Sequence, residues 1–158
     1  RMHRAGTFVR QLSLPEYRDL MEVRALLEGE AARLAARRLE PAALEELTRL
    51  GAELEAAEEK AEEDWAELQR LEVEFHTLIA RLSGNEVLLE TLQSQNLIRL
   101  CFVRRRQEGA RGKAPVPHRE VVGAIASGDP ARAGETMRRH ILAALEAAVQ
   151  PFQGAPFS

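Results

Sequence analysis

Apolar residues recur every three or four positions along most of this chain, and strand-like alternation is almost absent. From Leu14 to Leu39 the stripe is Leu20, Val23, Leu27, Ala31 and Leu34. Pro41 suits the first turn of a second helix, which carries Leu44, Leu47, Leu50 and Leu54 toward Ala61. Asp64 caps a third, with Trp65, Leu68, Leu71, Phe75, Ile79 and Leu82 facing inward. The breaks agree with this reading. "SGN" (Ser83 to Asn85) offers a glycine to end one helix and an asparagine to cap the next, which runs from Glu86 to about Arg106. A fifth helix runs from about Pro117 to Ala126. After "SGD", Asp129 caps a sixth, with Pro130 as its first residue and its end near Val149. The pattern predicts an all-α fold, an antiparallel bundle of about six helices.

The chain has 158 residues, enough for one domain with one core. Its net charge of −3 gives no basic field to draw this chain itself onto nucleic acid or an anionic membrane. No apolar run approaches the ~18–20 residues of a membrane helix, so no membrane partner is expected. The single cysteine, Cys101, excludes an intramolecular disulfide and points to the cytoplasm. It lies among apolar residues and reads as a packing thiol. The fourth helix is apolar almost all round, which suggests a core face and a subunit face, and hence a homodimer built on helix four with helix one. The acidic run "EAAEEKAEED" reads as a solvated helix end. Residues 1–13 have no helical period; "GTFV" (Gly6 to Val9) looks like a strand without a partner. The bundle is therefore assigned to 14–150 and a tail to 151–158.

The histidines need explaining. His118 shares a face with Val121, Val122 and Ile125, and His140 lies among Ala133, Met137, Ile141 and Ala144. His76 borders the stripe of Leu68, Phe75 and Ile79, and Glu72, four residues before it, lies on the same helical face. Each imidazole alone is most simply a core histidine bonded to a neighbour. Three together in an apolar bundle each need a partner, or cost about 1–3 kcal/mol. One shared divalent metal satisfies all three, and imidazoles with one carboxylate suit Zn, Ni, Fe or Mn rather than Mg or Ca. The residues by themselves leave both readings open. A di-iron bundle is disfavoured because the residue three before His76 is Val73 and no second Glu-x-x-His occurs. There is no H-E-x-x-H, no phosphate-binding glycine loop and no G-x-S-x-G.

Three segments resemble a known family: "LMEVRALLEGEAARLAARR", "EVEFHTLIARLSGN" and "HREVVGAIASGDPARAGETMRRHI". They carry an early Arg-x-x-x-Glu, a Phe-His followed by Ser-Gly-Asn, and a Met-x-x-His ending 22 positions after His118. The chain resembles, over about residues 14–148, the effector-binding (FCD) domain of GntR-type bacterial transcription regulators of the FadR subfamily. The resemblance implies an antiparallel helical bundle that in many members holds a divalent metal through an Asp and three His. By motif the ligands carry over to His76, His118 and His140, with Glu72 where Asp is usual. It also implies that "RAGTFV" is the last strand and linker of a winged helix-turn-helix domain. The sensor would then be present and the reader of operator DNA absent from this chain.

Three histidines and a carboxylate leave open coordination positions for the carboxylate of a small organic acid. A buried anion wants a cation, and the arginine fork suits a carboxylate. Arg24, at the edge of the helix-one stripe, and Arg99, on the line of Leu92, Gln95 and Phe102, are candidates, with Gln95 a further lining residue. For the arginines the competing reading is an ion pair with a carboxylate such as Glu28. No general base stands apart from the ligands, so binding is favoured over turnover and the chain is read as a sensor, not an enzyme. The other classes are a helical metal-dependent enzyme and a structural dimerisation domain without metal.

Overall fold

The computed structural model describes residues 13–61, 64–94, 98 and 114–149. Among them are six helices and no strand: α1 (Leu14–Ala35), α2 (Pro41–Glu59), α3 (Trp65–Leu82), α4 (Glu86–Ser94), α5 (His118–Ala126) and α6 (Pro130–Val149). "GTFV", Gln95, Arg99, Cys101, the far half of the expected fourth helix and the tail lie outside the described residues.

Local chemistry sets the boundaries. Ser13 and Glu16 form a reciprocal capping box at the start of α1, and Pro15 sits in its first turn. The Asp64 carboxylate accepts the Glu67 N–H at the start of α3, and Asn85 accepts the Leu88 N–H at the start of α4. Asp129 accepts the N–H groups of Ala131 and Arg132. Gly84 and Gly128 take positive φ, 65° and 70°, where the chain turns between helices. One boundary differs from expectation. α1 stops at Ala35, not near Leu39, because Arg37 and Arg38 bond back to Leu34 and Ala35 in tighter turns.

The bundle packs α1 against α6 and α3, α2 against α3 and α5, and α5 against α6. Its centre is filled by Leu47, Leu50, Leu54, Leu68, Phe75, Ile79, Ile125, Met137 and Ile141. The α1 face is rotated from the expected stripe. Ala31 of that stripe is buried, and Leu20 and Leu27 pack partly buried on the core. The buried face also takes in Tyr17, Met21, Arg24, Ala25, Glu28, Ala32 and Ala35, whereas Val23 is 45% exposed. The hydrophobic period missed this because two charged side chains lie on the inward side. Among the described residues no helix is long and apolar enough to cross a membrane.

α1 and α6 cross closely through glycines. A Cβ on Gly134 would stand 3.1 Å from the Gly29 carbonyl oxygen and 3.3 Å from Arg33 Cβ. Gly134→Leu is therefore expected to lower stability by about 1–3 kcal/mol despite leucine's better helix propensity. Urea denaturation checks this; an unchanged or raised midpoint would mean that the helices separate without loss.

Candidate metal centre

Glu72, His76, His118 and His140 meet inside the bundle. Glu72 and His76 project from one face of α3, His118 is the first residue of α5, and His140 lies midway along α6. All are buried, His118 completely. The imidazole centroids are 4.5 Å apart for His118 and His140, 5.5 Å for His76 and His140, and 6.1 Å for His76 and His118. One nitrogen from each ring falls within 4.8 Å of the other two. Phe75 packs edge-on against His76 and His118 and forms an apolar wall.

Glu72 Oε2 stands 3.4 Å from His76 Nε2 and 3.5 Å from His118 Nε2. The Nε2 sides of these two rings therefore share one space with the carboxylate. His140 donates Nδ1–H to the Val116 carbonyl at 2.7 Å, which leaves its Nε2 with a lone pair. On the far side of His76, Nδ1 meets Glu28 Oε2. Glu28 in turn accepts Arg24 Nε–H at 2.7 Å. At His118, Nδ1 lies 3.6 Å from Glu58 Oε1, and the same oxygen accepts the Ala114 N–H at 3.2 Å.

Burial and charge compete across this cluster. Burial raises the Glu28 carboxyl, but Arg24 and His76 outweigh it and bring it down to about 2. Burial likewise raises Glu72, yet His118 and His76 hold it well below the usual carboxylate range. Burial pushes His76 down, and Glu28 with Glu72 raise it overall. For His140, burial and then the charges of His118 and His76 outweigh the raising effects of Glu72 and the Val116 carbonyl and push it down to about 3.

The donors fit a divalent metal. Among the described residues neither ring nitrogen of His118 finds a hydrogen-bond partner, although the residue is fully buried. Leaving such groups unsatisfied costs about 1–3 kcal/mol each, and a cation at Nε2 with Glu58 behind Nδ1 removes the deficit. Three imidazoles and a carboxylate form a set suited to Zn, Ni, Fe or Mn.

A model of the FCD domain family matches residues 19–143. The chain belongs to the FCD domain family. It is 46% identical over 77 residues to the Glc operon transcriptional activator of Escherichia coli K12, covering 48% of this chain and 30% of that protein. Over 89 residues it is 39% identical to the Nta operon transcriptional regulator of Aminobacter aminovorans, covering 56% of this chain and 41% of the relative. The chain thus spans well under half the length of these curated relatives. Among solved structures it resembles a Streptococcus agalactiae GntR protein, with TM-score 0.68 and 27% identity over 89% of this chain and 63% of that one. The resemblance to GntR-type FCD regulators seen in the motifs holds at the level of the family.

Within this FCD domain, Arg24 is buried against Glu28, the ion pair weighed as its alternative role; Arg99 and Gln95 lie outside the described residues. Two further acids belong to the centre. Glu28 figured only as a partner for arginine, and Glu58 was hidden in the acidic run read as a solvated end. Glu58 is only 6% exposed. Its signal was positional: it continues the buried line Leu47, Leu50, Gly51, Leu54 at helical spacing.

Proposed function

We propose that this chain is the ligand-sensing domain of a bacterial transcription regulator, binding a small organic acid at a divalent metal held by Glu72, His76, His118 and His140. The observation that carries the reading is the convergence of three buried imidazoles and Glu72 inside an FCD fold. Zinc suits the donors best, with Ni, Mn or Fe as alternatives. When bound, the ion supplies a Lewis-acidic centre for the carboxylate of the effector. The protein's part is to hold the donors, exclude water with Phe75 and its neighbours, and surround the effector with polar side chains. Arg24, Arg99 and Gln95 are proposed for that last role. Glu72, one methylene longer than aspartate, is proposed as the carboxylate ligand. The whole regulator is proposed to be a cytoplasmic homodimer, with α1 and α4 at the subunit contact, that reaches operator DNA through a winged helix domain ahead of residue 14. Effector binding acts by favouring one of two arrangements of the dimer.

The relatives this chain resembles are named as transcription regulators, which supports sensing over turnover. A panel of sugar acids, lactate-like hydroxyacids, dicarboxylates and citrate-like acids tests the reading by thermal shift. At least one acid is expected to raise the melting temperature of the zinc-loaded chain and not that of the chelated chain. Equal shifts in both states would remove the metal from ligand recognition, and no shift from any acid would remove this effector class.

A further inference from the structure

We propose that Glu28 and Glu58 are positioning residues, each accepting the outer N–H of one ligand imidazole: Glu28 for His76 and Glu58 for His118. The inference rests on the proposed metal site but concerns residues that are not its ligands. An imidazole that ligates through one nitrogen must carry its proton on the other, and the group facing that proton fixes both tautomer and ring orientation. For His76 and His118 the Nε2 side is the one turned to Glu72. Nδ1 is the other nitrogen of each ring, and in both a buried carboxylate stands against it. His140 shows the same arrangement completed with a neutral acceptor, the Val116 carbonyl.

Each carboxylate is itself held. Glu28 uses one oxygen for Arg24 and turns the other to His76, and both side chains of the Arg24–Glu28 pair are almost fully buried. Glu58 is fixed by the Ala114 N–H, a backbone group of the segment that leads into α5. Its 3.6 Å separation from His118 Nδ1 is a few tenths of an ångström beyond hydrogen-bond range. Charge withdrawn from the ring on ligation at Nε2 makes the Nδ1 proton a stronger donor and favours closing that gap.

Glu58 also lies near enough to Glu72 and His118 to be counted with them as a possible donor group. The Glu58 oxygen that stands 3.6 Å from His118 Nδ1 already accepts the Ala114 N–H, whereas Glu72 stands 3.5 Å from Nε2, which favours the positioning role. The positioning role has a structural consequence. α1 and α2 supply no proposed ligand, yet Glu28 and Glu58 bring them against the rings that are proposed to ligate.

The test compares wild type with Glu28→Gln, Glu58→Gln and the double variant Arg24→Met/Glu28→Gln. The double variant is included because Glu28→Gln alone strips a carboxylate from the buried Arg24 guanidinium and costs stability. Zinc affinity is measured by competition with a chromophoric chelator, the absorption bands of the cobalt-loaded protein are recorded, and helicity is followed by circular dichroism after chelation. Each carboxylate loss is expected to weaken zinc about 10- to 100-fold and to alter the cobalt bands while the chelated chain stays helical. Affinities within twofold of wild type with unchanged cobalt bands would overturn the role, leaving the acids purely structural. A Glu58→Gln loss far beyond 100-fold with a changed coordination number would overturn it for Glu58 and make that residue a ligand. If wild type takes up neither zinc nor cobalt, the metal reading fails and this inference with it; failure in the variants alone leaves the metal reading standing.

Discussion

Zinc supplied at about a thousand times its dissociation constant should raise the melting temperature of this chain by roughly 8–16 °C, and that of His118→Ala/His140→Ala by nothing measurable. A ligand that binds only the folded state at that excess adds about 4 kcal/mol. A domain of this size moves roughly 2–4 °C for each kcal/mol. The folded state alone gathers the donors: His118 opens α5, His140 lies on α6, and Glu72 with His76 comes from α3. Removing two of the three imidazoles leaves only Glu72 and His76, a pair four residues apart on one helix, as proposed ligands. The chelated double variant should remain helical, because the apolar packing of Phe75, Ile79, Met137 and Ile141 is untouched. Calorimetry with and without zinc measures the increment. An equal zinc shift in the double variant would place the ion elsewhere. The absence of any shift in wild type would refute the metal centre itself.

Most of the bundle was legible because its helices obey local rules. Asp64, Asn85 and Asp129 stand where caps were expected, and the α2 and α3 stripes are buried as the period requires. Legibility failed where charge goes inward. On α1 the buried face includes Arg24 and Glu28, so a count of apolar residues favoured Val23, which faces outward. In the run from Glu55 to Asp64 the acids look alike in sequence. Among the described residues of that run, Glu58 alone of the acids continues the Leu47–Leu54 line into the core, and its neighbours' charges masked it. The histidines were readable for the opposite reason. Each is a polar residue on an otherwise apolar stripe, and polar groups there require partners. What periodicity does not contain is the partner on another helix. That Nδ1 of His140 would find the Val116 carbonyl, or that His76 would meet Glu28, follows from how α1, α3 and α6 cross.

The second large effect is in pH. Without metal, the urea midpoint should fall as pH drops below about 6.5, before Glu28 or Glu72 titrates. His140 has its folded value near 3 against an ordinary 6.5. Below 6.5 the unfolded chain binds a proton that the folded chain refuses. Its neutral burial therefore favours the folded state fully above 6.5, and that advantage is lost as pH falls toward 3. A displacement of this size corresponds to a loss on the order of several kcal/mol, since one unit is about 1.4 kcal/mol. Glu28, brought from 4.5 to about 2, stabilises the fold above 4.5 and loses that contribution between 4.5 and 2. Glu72 acts in the same direction, also below 4.5. His76 has the opposite sign. Its folded value is raised, so its contribution is complete below 6.5 and disappears as pH rises through the raised value. Stability of the chelated chain should therefore peak near neutrality and decline on both sides. The window from 6.5 to 4.5 separates His140 from Glu28 and Glu72, whose losses begin only at its lower edge. His140→Leu removes the group that refuses the proton and should flatten the profile there, leaving the steeper decline below 4.5 in place. Wild type with a flat midpoint across that window, or a variant with the wild-type slope, would show that His140 is not held neutral by its surroundings. With zinc present the acid limb should steepen, because protons and the ion compete for the same imidazoles.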